Sequence, residues 1–210
     1  MQQLKPLAEL LQPDPANSFF GKFDLKTGEA QALALEDMYP LFSAITLHDS
    51  VPEDVRNYME SIKTLAVFGW FHYPLYTHAV FLATTALEMA LRERFPVTGG
   101  DKRTMRPLIE EARRAGLVRD DLLPSSKRWH GDDADSADGV QGEKTAETTQ
   151  PQESYAEYAW RMMLFLRNKF LHQQQSTILT PWMAAEHLSL AAEMINALFA
   201  DAGSSSGGGH

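Results

Sequence analysis

The chain has 210 residues, of which 44% are hydrophobic and 22% charged, the composition of a soluble globular protein with one large or two small domains. It contains no cysteine, which excludes disulfides, thiolate nucleophiles and Cys-ligated metal sites and favours a cytoplasmic location. The net charge of −9 argues against non-specific coating of nucleic acid.

The charge is spread unevenly, because residues 92–128 contain ten basic and six acidic side chains while the segments on either side are net acidic. This segment predicts either a local cationic surface or an ordinary solvated helix face. Its candidate side chains are Arg92, Arg94, Lys102, Arg103, Arg106, Arg113, Arg114, Lys127 and Arg128.

The first 49 residues predict a small N-terminal appendage. Residues 2–11 favour a short amphipathic helix, and alternating side chains from Phe19 to Lys26 with a turn at Thr27-Gly28 predict a β-hairpin. A short apolar run at 41–47 predicts a third strand.

Helical signals begin at residue 50. Ser50 and Glu53 have capping-box spacing, and a second helix from about Pro74 to Phe95 has two apolar stripes, typical of the central helix of a bundle. Residues 64–87 lack charged side chains and are long enough to span a bilayer, but Gly69 and Pro74 interrupt them. We therefore expect a buried helix pair and no membrane span.

The rest of the chain predicts three more long helices, at about 104–115, 153–173 and 180–202, with a short turn of helix between 120 and 129. Gly116 is placed to end the first of them, and Thr180 with Pro181 to begin the last. Residues 131–152 are acidic and poor in apolar side chains, which predicts a disordered insertion, and 203–210 resemble a linker and purification tag. The expected fold is all-α, an antiparallel up-and-down bundle over residues 50–202 after the appendage at 1–49.

The strongest chemical pattern is the hexapeptide from Arg167 to His172, late in the penultimate helix. Asn168 and His172 are four residues apart and share a face, and the long side chain of Arg167 can reach that face. Imidazole exchanges protons near neutral pH and guanidinium stabilises phosphorane charge, so the group suits phosphodiester chemistry. Alternatively, Arg167 pairs with an acid such as Glu88, and His172 caps its helix end.

This hexapeptide resembles the R-x4-6-H signature of the HEPN superfamily in its R-N-x-x-x-H form. Residues 84–95, with Glu88, resemble a pattern that an earlier helix of the family often carries. The resemblance implies a helical bundle over roughly 55–200 and a metal-independent endoribonuclease of defence or toxin–antitoxin systems. It further implies no cofactor, a homodimer with a composite cleft, and an antitoxin or other protein partner.

By the same resemblance, His172 would act as general acid or base on the ribose 2′-hydroxyl, Arg167 would stabilise the phosphorane and Asn168 would orient the phosphate or His172. We also expect Lys169, Arg161 and Glu88 to contact the RNA substrate. The alternative is a non-catalytic HEPN-like scaffold, or a nucleotide- or RNA-binding module that acts through protein partners. A further aromatic cluster predicts either base stacking or a core or dimer contact: Trp70, Phe71, Tyr73 and Tyr76.

Overall fold

The fold is mostly helical, with a two-stranded antiparallel sheet near the N-terminus, as the sequence predicts. A computed structural model describes residues 4–24, 26–96, 103–130, 153–171 and 179–200. The insertion at 131–152 and the segment at 203–210 lie outside these ranges, and none of the described helices is long and apolar enough to cross a membrane. The elements are β1 (Gly21–Asp24), β2 (Glu29–Ala32), α1 (Leu35–Ser43), α2 (Glu53–Phe68), α3 (Leu75–Arg94), α4 (Met105–Arg114), α5 (Ser126–His130), α6 (Tyr155–Leu171) and α7 (Pro181–Leu198).

Helix α3 lies at the centre of the fold, in contact with α2, α4, α6 and α7. The prediction from its two apolar stripes is therefore confirmed. Its contact with α7 is the most extensive in the protein, and both helices present many alanines there, which lets two helix backbones approach closely. The buried side chains of α3 are Tyr76, Ala79, Val80, Ala83, Thr84, Ala86, Leu87, Ala90 and Leu91.

The predicted hairpin is confirmed, but the predicted third strand at 41–47 is wrong. Strands β1 and β2 pair around a turn in which Gly28 has a φ of 73°, a conformation that favours glycine. The third-strand segment instead contributes the end of α1, which packs on α2 and α7 and buries Met38 and Phe42 in the main core. A short apolar run cannot distinguish a buried strand from a short buried helix.

Three helix termini test the capping predictions. The predicted Ser50 cap of α2 is wrong, since α2 begins after Pro52 with no side-chain cap. Thr180 does cap α7, because its hydroxyl accepts a hydrogen bond of 3.1 Å from the backbone N–H of Met183. Gly116 follows α4 with a φ of 64°, as expected of a residue that ends a helix.

Residues 14–17 attach the N-terminal segment to the turn between α2 and α3. The buried Asp14 carboxylate accepts hydrogen bonds from the backbone N–H groups of Ala16 at 3.0 Å and Tyr73 at 2.9 Å. Asn17 donates from its amide to the carbonyl of Trp70 at 2.8 Å. The N-terminal segment thus supplies hydrogen-bond partners to backbone groups of the turn that it covers.

We expect Gly69→Ala to destabilise the protein by about 2 kcal/mol, because a Cβ there would lie only 2.5 Å from the ring of the fully buried Tyr76. In a Tyr76→Leu background the same change should cost much less, since the ring is gone. Chemical denaturation of the four proteins measures the coupling. A Gly69→Ala effect of equal size in both backgrounds would contradict the steric explanation.

Candidate active site at the end of α6

The N-terminus of α6 is held by an acid from another part of the chain. The carboxylate of Asp120 accepts hydrogen bonds from the backbone N–H groups of Ala156 at 2.8 Å and Tyr155 at 3.2 Å. A carboxylate is favoured at this position by both the free N–H groups and the helix dipole. Ala159, Trp160, Met163 and Leu166 then bury one face of the helix in the core, which fixes its rotation.

Arg167, near the C-terminal end of α6, turns towards α3 and binds Glu88. Its Nε and Nη2 donate to the same oxygen of Glu88, Oε2, at 3.1 and 2.8 Å. The other oxygen, Oε1, accepts a hydrogen bond of 2.8 Å from Arg92, one turn further along α3. The pairing of Arg167 with Glu88 that the sequence raises as an alternative is therefore present.

The two guanidiniums determine the protonation of Glu88, whose side chain is only 17% exposed. Partial burial disfavours its charged form, but the hydrogen bonds and charges of Arg92 and Arg167 outweigh burial and lower the pKa of Glu88. Glu88 is thus an ionised carboxylate with both oxygens occupied. This arrangement suits the positioning of Arg167 and does not suit proton transfer.

The other predicted site residues on α6 point away from Glu88. Asn168 is exposed and Lys169 is half-buried with its Nζ over the ring of Phe165. Arg161 is exposed and forms two hydrogen bonds with Glu153, at 3.0 and 2.6 Å. His172 lies outside the described residues. The structure therefore brings Arg167 into contact with Glu88 and leaves the next residue, Asn168, exposed on the surface of α6.

A cleft of about 530 Å³ between α4 and α6 contains Asn168 in its wall. Arg106 and Arg113 line it from α4, and Arg161 and Phe165 from α6. Arg106 forms no ion pair with the described residues, whereas Arg113 donates to Glu157 at 2.6 Å. Glu110, Glu153 and Glu157 also line the cleft, so three carboxylates balance its three arginines. Among the described residues the cleft therefore offers one cation without an ion pair, Arg106, and the Asn168 amide to a phosphate group.

Much of the predicted cationic segment is neutralised by local ion pairs. Arg92 binds Glu88, Arg103 binds Glu111 and Arg113 binds Glu157. The net charge of +4 over residues 92–128 therefore overstates the positive electrostatic potential at the surface of this segment. Lys102 lies outside the described residues.

The aromatic residues that the sequence singles out do not form an exposed stacking surface. Tyr76 is fully buried and Trp70 nearly so. Burial raises the pKa of Tyr73, whose hydroxyl donates to the carbonyl of Leu179 at 2.6 Å. These residues belong to the core and to the attachment of the N-terminal segment. Of the roles predicted for them, the structure shows the core contact.

Sequence reasoning missed three aromatic residues on the outer side of α6. Trp129 stacks on Tyr158 with ring centres 4.6 Å apart, and Phe165 lies two helical turns beyond Tyr158. The spacing of Tyr158 and Phe165 could have signalled a shared face, but the contact of Trp129 joins segments on either side of the insertion and has no local signal. Among the described residues, no group of three or more His, Asp or Glu side chains could hold a metal ion.

Comparison with known proteins finds no match for this chain among protein-family models, curated proteins or solved structures.

We expect Glu88→Gln to lower the free energy of unfolding by about 1–3 kcal/mol at pH 7, because it removes the charge that two guanidiniums share. The native pKa of Glu88 is lowered from 4.5, so its stabilisation is present above that value and is lost as the pH falls through the native pKa. Urea denaturation at several pH values should show the difference between wild type and variant shrinking in acid.

Glu93→Gln is the matched control, since Glu93 is an exposed residue of the same helix with no ion pair in the described structure. It should change stability little at any pH. A Glu88→Gln effect that stays constant from neutral pH down to pH 3 would show that the charge of Glu88 is unimportant.

Proposed function

We propose that this chain is a metal-independent endoribonuclease of the HEPN type. The observation that carries the proposal is the Arg167-Asn168-x-x-x-His172 pattern at the end of α6, with Arg167 held by Glu88 of α3. Glu88 takes one edge of the guanidinium, and Nη1 makes no hydrogen bond to the described residues. Arg167 is thereby both oriented and left with a free donor for a phosphate oxygen.

In this mechanism His172 removes the proton of a ribose 2′-hydroxyl, and the 2′-oxygen attacks the adjacent phosphorus. The new 2′-O–P bond forms as the P–O5′ bond breaks, and the leaving 5′-oxygen takes a proton from water, so the products are a 2′,3′-cyclic phosphate and a 5′-hydroxyl. Arg167 stabilises the negative charge of the phosphorane, and Asn168 orients the scissile phosphate or His172. Lys169 and Arg161 hold flanking phosphates of the RNA, while Glu88 acts through Arg167.

The biological setting in this proposal is a cytoplasmic defence or toxin–antitoxin system, with an antitoxin or other protein that controls the nuclease. Two subunits form a homodimer whose motifs face each other in one cleft. Such an arrangement doubles the number of groups available to one RNA strand, as a two-fold axis places the same patch of both subunits side by side.

A second candidate is a non-catalytic HEPN-like scaffold or nucleotide- or RNA-binding module that acts through protein partners. The ion pair of Arg167 with Glu88 favours it, because the pair gives Arg167 a structural role without any substrate. The two candidates differ in whether the chain itself breaks RNA.

We expect the wild-type protein to cleave single-stranded RNA in the presence of EDTA and to spare DNA, which lacks the 2′-hydroxyl. His172→Ala should reduce the rate about 10²–10⁴-fold. His48→Ala is the control, because His48 is exposed and far from α6 in the chain. Gel analysis of a labelled RNA, with detection of the cyclic phosphate, measures both. A requirement for a divalent metal, or full activity in His172→Ala, would contradict the mechanism.

Arg167→Lys separates the catalytic role of Arg167 from its structural one. Lysine keeps a positive charge beside Glu88 but has no second donor edge for phosphate. We expect cleavage to fall at least tenfold while the melting temperature changes little. A loss of stability with cleavage unchanged in the folded fraction would favour the scaffold.

The proposed composite site requires a dimer. We expect sedimentation at micromolar concentration to give about twice the mass of 23.5 kDa. A monomer that cleaves RNA would show that one motif is sufficient.

A further inference from the structure

The outer side of α6 carries a row of aromatic rings that the proposed function does not use, and these rings lie beside the two cations, Arg161 and Lys169, that it assigns to flanking phosphates. Tyr158, Arg161, Phe165 and Lys169 follow one another at intervals of three or four residues, so they share one face of the helix. That face flanks the buried one: Arg161 and Phe165 are exposed, whereas Tyr158 and Lys169 are half-buried and Tyr158 packs against the core. Trp129 of α5 extends the row, since its ring stacks on Tyr158. We call these five residues the α6 aromatic row.

Rings and cations are paired within the row. The guanidinium of Arg161 lies 5.7 Å from the ring centre of Tyr158, and Nζ of Lys169 lies 5.4 Å from that of Phe165. Trp129 is 40% exposed and Phe165 54% exposed, so each presents ring surface to solvent. Alternating open rings and positive charges match a ligand that alternates flat bases and phosphates.

The spacing of the row favours a single strand over a duplex. Tyr158 and Phe165 are seven residues apart, roughly 10 Å along a helix that rises about 1.5 Å per residue. Bases that stack on rings so far apart must be splayed from one another, which a single strand permits and a duplex prevents.

The cations around the row share the surface with the carboxylates of Glu153 and Glu157, which line the same cleft as Arg161. Arg161 is bound to Glu153, but both side chains are substantially exposed, and an exposed pair of this kind exchanges readily for another anion. Lys127 and Arg128 are exposed next to Trp129 at one end. The cleft between α4 and α6 extends beside the row from Glu153 to Asn168, and Arg161 and Phe165 belong to both the row and the cleft.

We propose that the α6 aromatic row binds single-stranded RNA and directs it along α6 to the Arg167–Asn168 end of the helix. The part of this proposal that directs the strand to Arg167 and Asn168 rests on the proposed function. Binding of RNA by the row does not require cleavage. Bases stack on Trp129 and Phe165, and phosphates bind Arg161 and Lys169.

The test uses the full chain and a single-stranded 2′-O-methyl oligoribonucleotide of about 12 nucleotides. This probe lacks the 2′-hydroxyl nucleophile, so binding is measured without cleavage. We expect it to quench tryptophan fluorescence saturably in the wild type. Trp129→Phe should remove most of the quenching, whereas Trp182→Phe, which alters a residue of similar exposure at 38%, should retain it.

Anisotropy titrations with the same probe test the remaining positions. Phe165→Ala and Lys169→Ala should each weaken binding about tenfold, and Lys169→Ala should also reduce the salt dependence by about one released ion. Phe23→Ala and Lys26→Ala are the matched controls, because both residues are exposed in the hairpin, away from α6. Binding that is unchanged in the α6 variants, or equally weakened in the controls, would overturn the proposal.

Three further readouts separate RNA binding by the row from dimerisation through the row and from RNA cleavage. Light scattering that shows Phe165→Ala to convert a dimer into a monomer would identify the row as an interface between copies of the chain. A wild-type protein that binds the probe but leaves the matched native RNA intact would refute the endoribonuclease and retain the row. Cleavage with an unchanged KM in Trp129→Ala and Phe165→Ala would refute the row and retain the endoribonuclease.

Discussion

The central position of α3 constrains the whole structure. Four helices pack around it, so a polar side chain on α3 that does not reach solvent must find its partner inside the protein. Glu88 is largely covered, with 17% of its side chain exposed, and it binds Arg92 of its own helix and Arg167 of α6. This ion pair acts together with the buried side chains of α6 to set where the end of α6 lies against the bundle.

The ion pair between Glu88 and Arg167 limits the roles open to both residues. A carboxylate with a lowered pKa and two guanidinium partners is a poor general acid or base near neutral pH. The guanidinium, in contrast, loses one edge to Glu88 and keeps Nη1. If the chain cleaves RNA, proton transfer therefore belongs to another group, and among the motif residues His172 is the one with suitable chemistry.

Sequence patterns predicted the parts of the fold that depend on local physical chemistry. The extent of α3, the Thr180 cap, the glycine after α4 and the hairpin turn each follow from a few adjacent residues. The helix at 35–43 did not, because its apolar run is too short to show a period and its helical form depends on packing against α2 and α7. The attachment of Asp14 and Asn17 to the α2–α3 turn was equally invisible, since more than 50 residues separate the partners.

The candidate site likewise combines features that follow from adjacent residues with features that depend on the packing of distant segments. Helical spacing put Asn168 on the same face as His172, and the sequence suggested Glu88 as a partner for Arg167. Only the packing of α3 on α6 settles that partner. The same packing decides which side of α6 faces outward. Because Ala159, Trp160 and Met163 are buried and Arg167 is tied to Glu88, the helix cannot rotate without breaking both contacts. Tyr158 and Phe165 are therefore held on the outer side by interactions made on the inner one, so the ion pair and the aromatic row are two consequences of a single helix orientation.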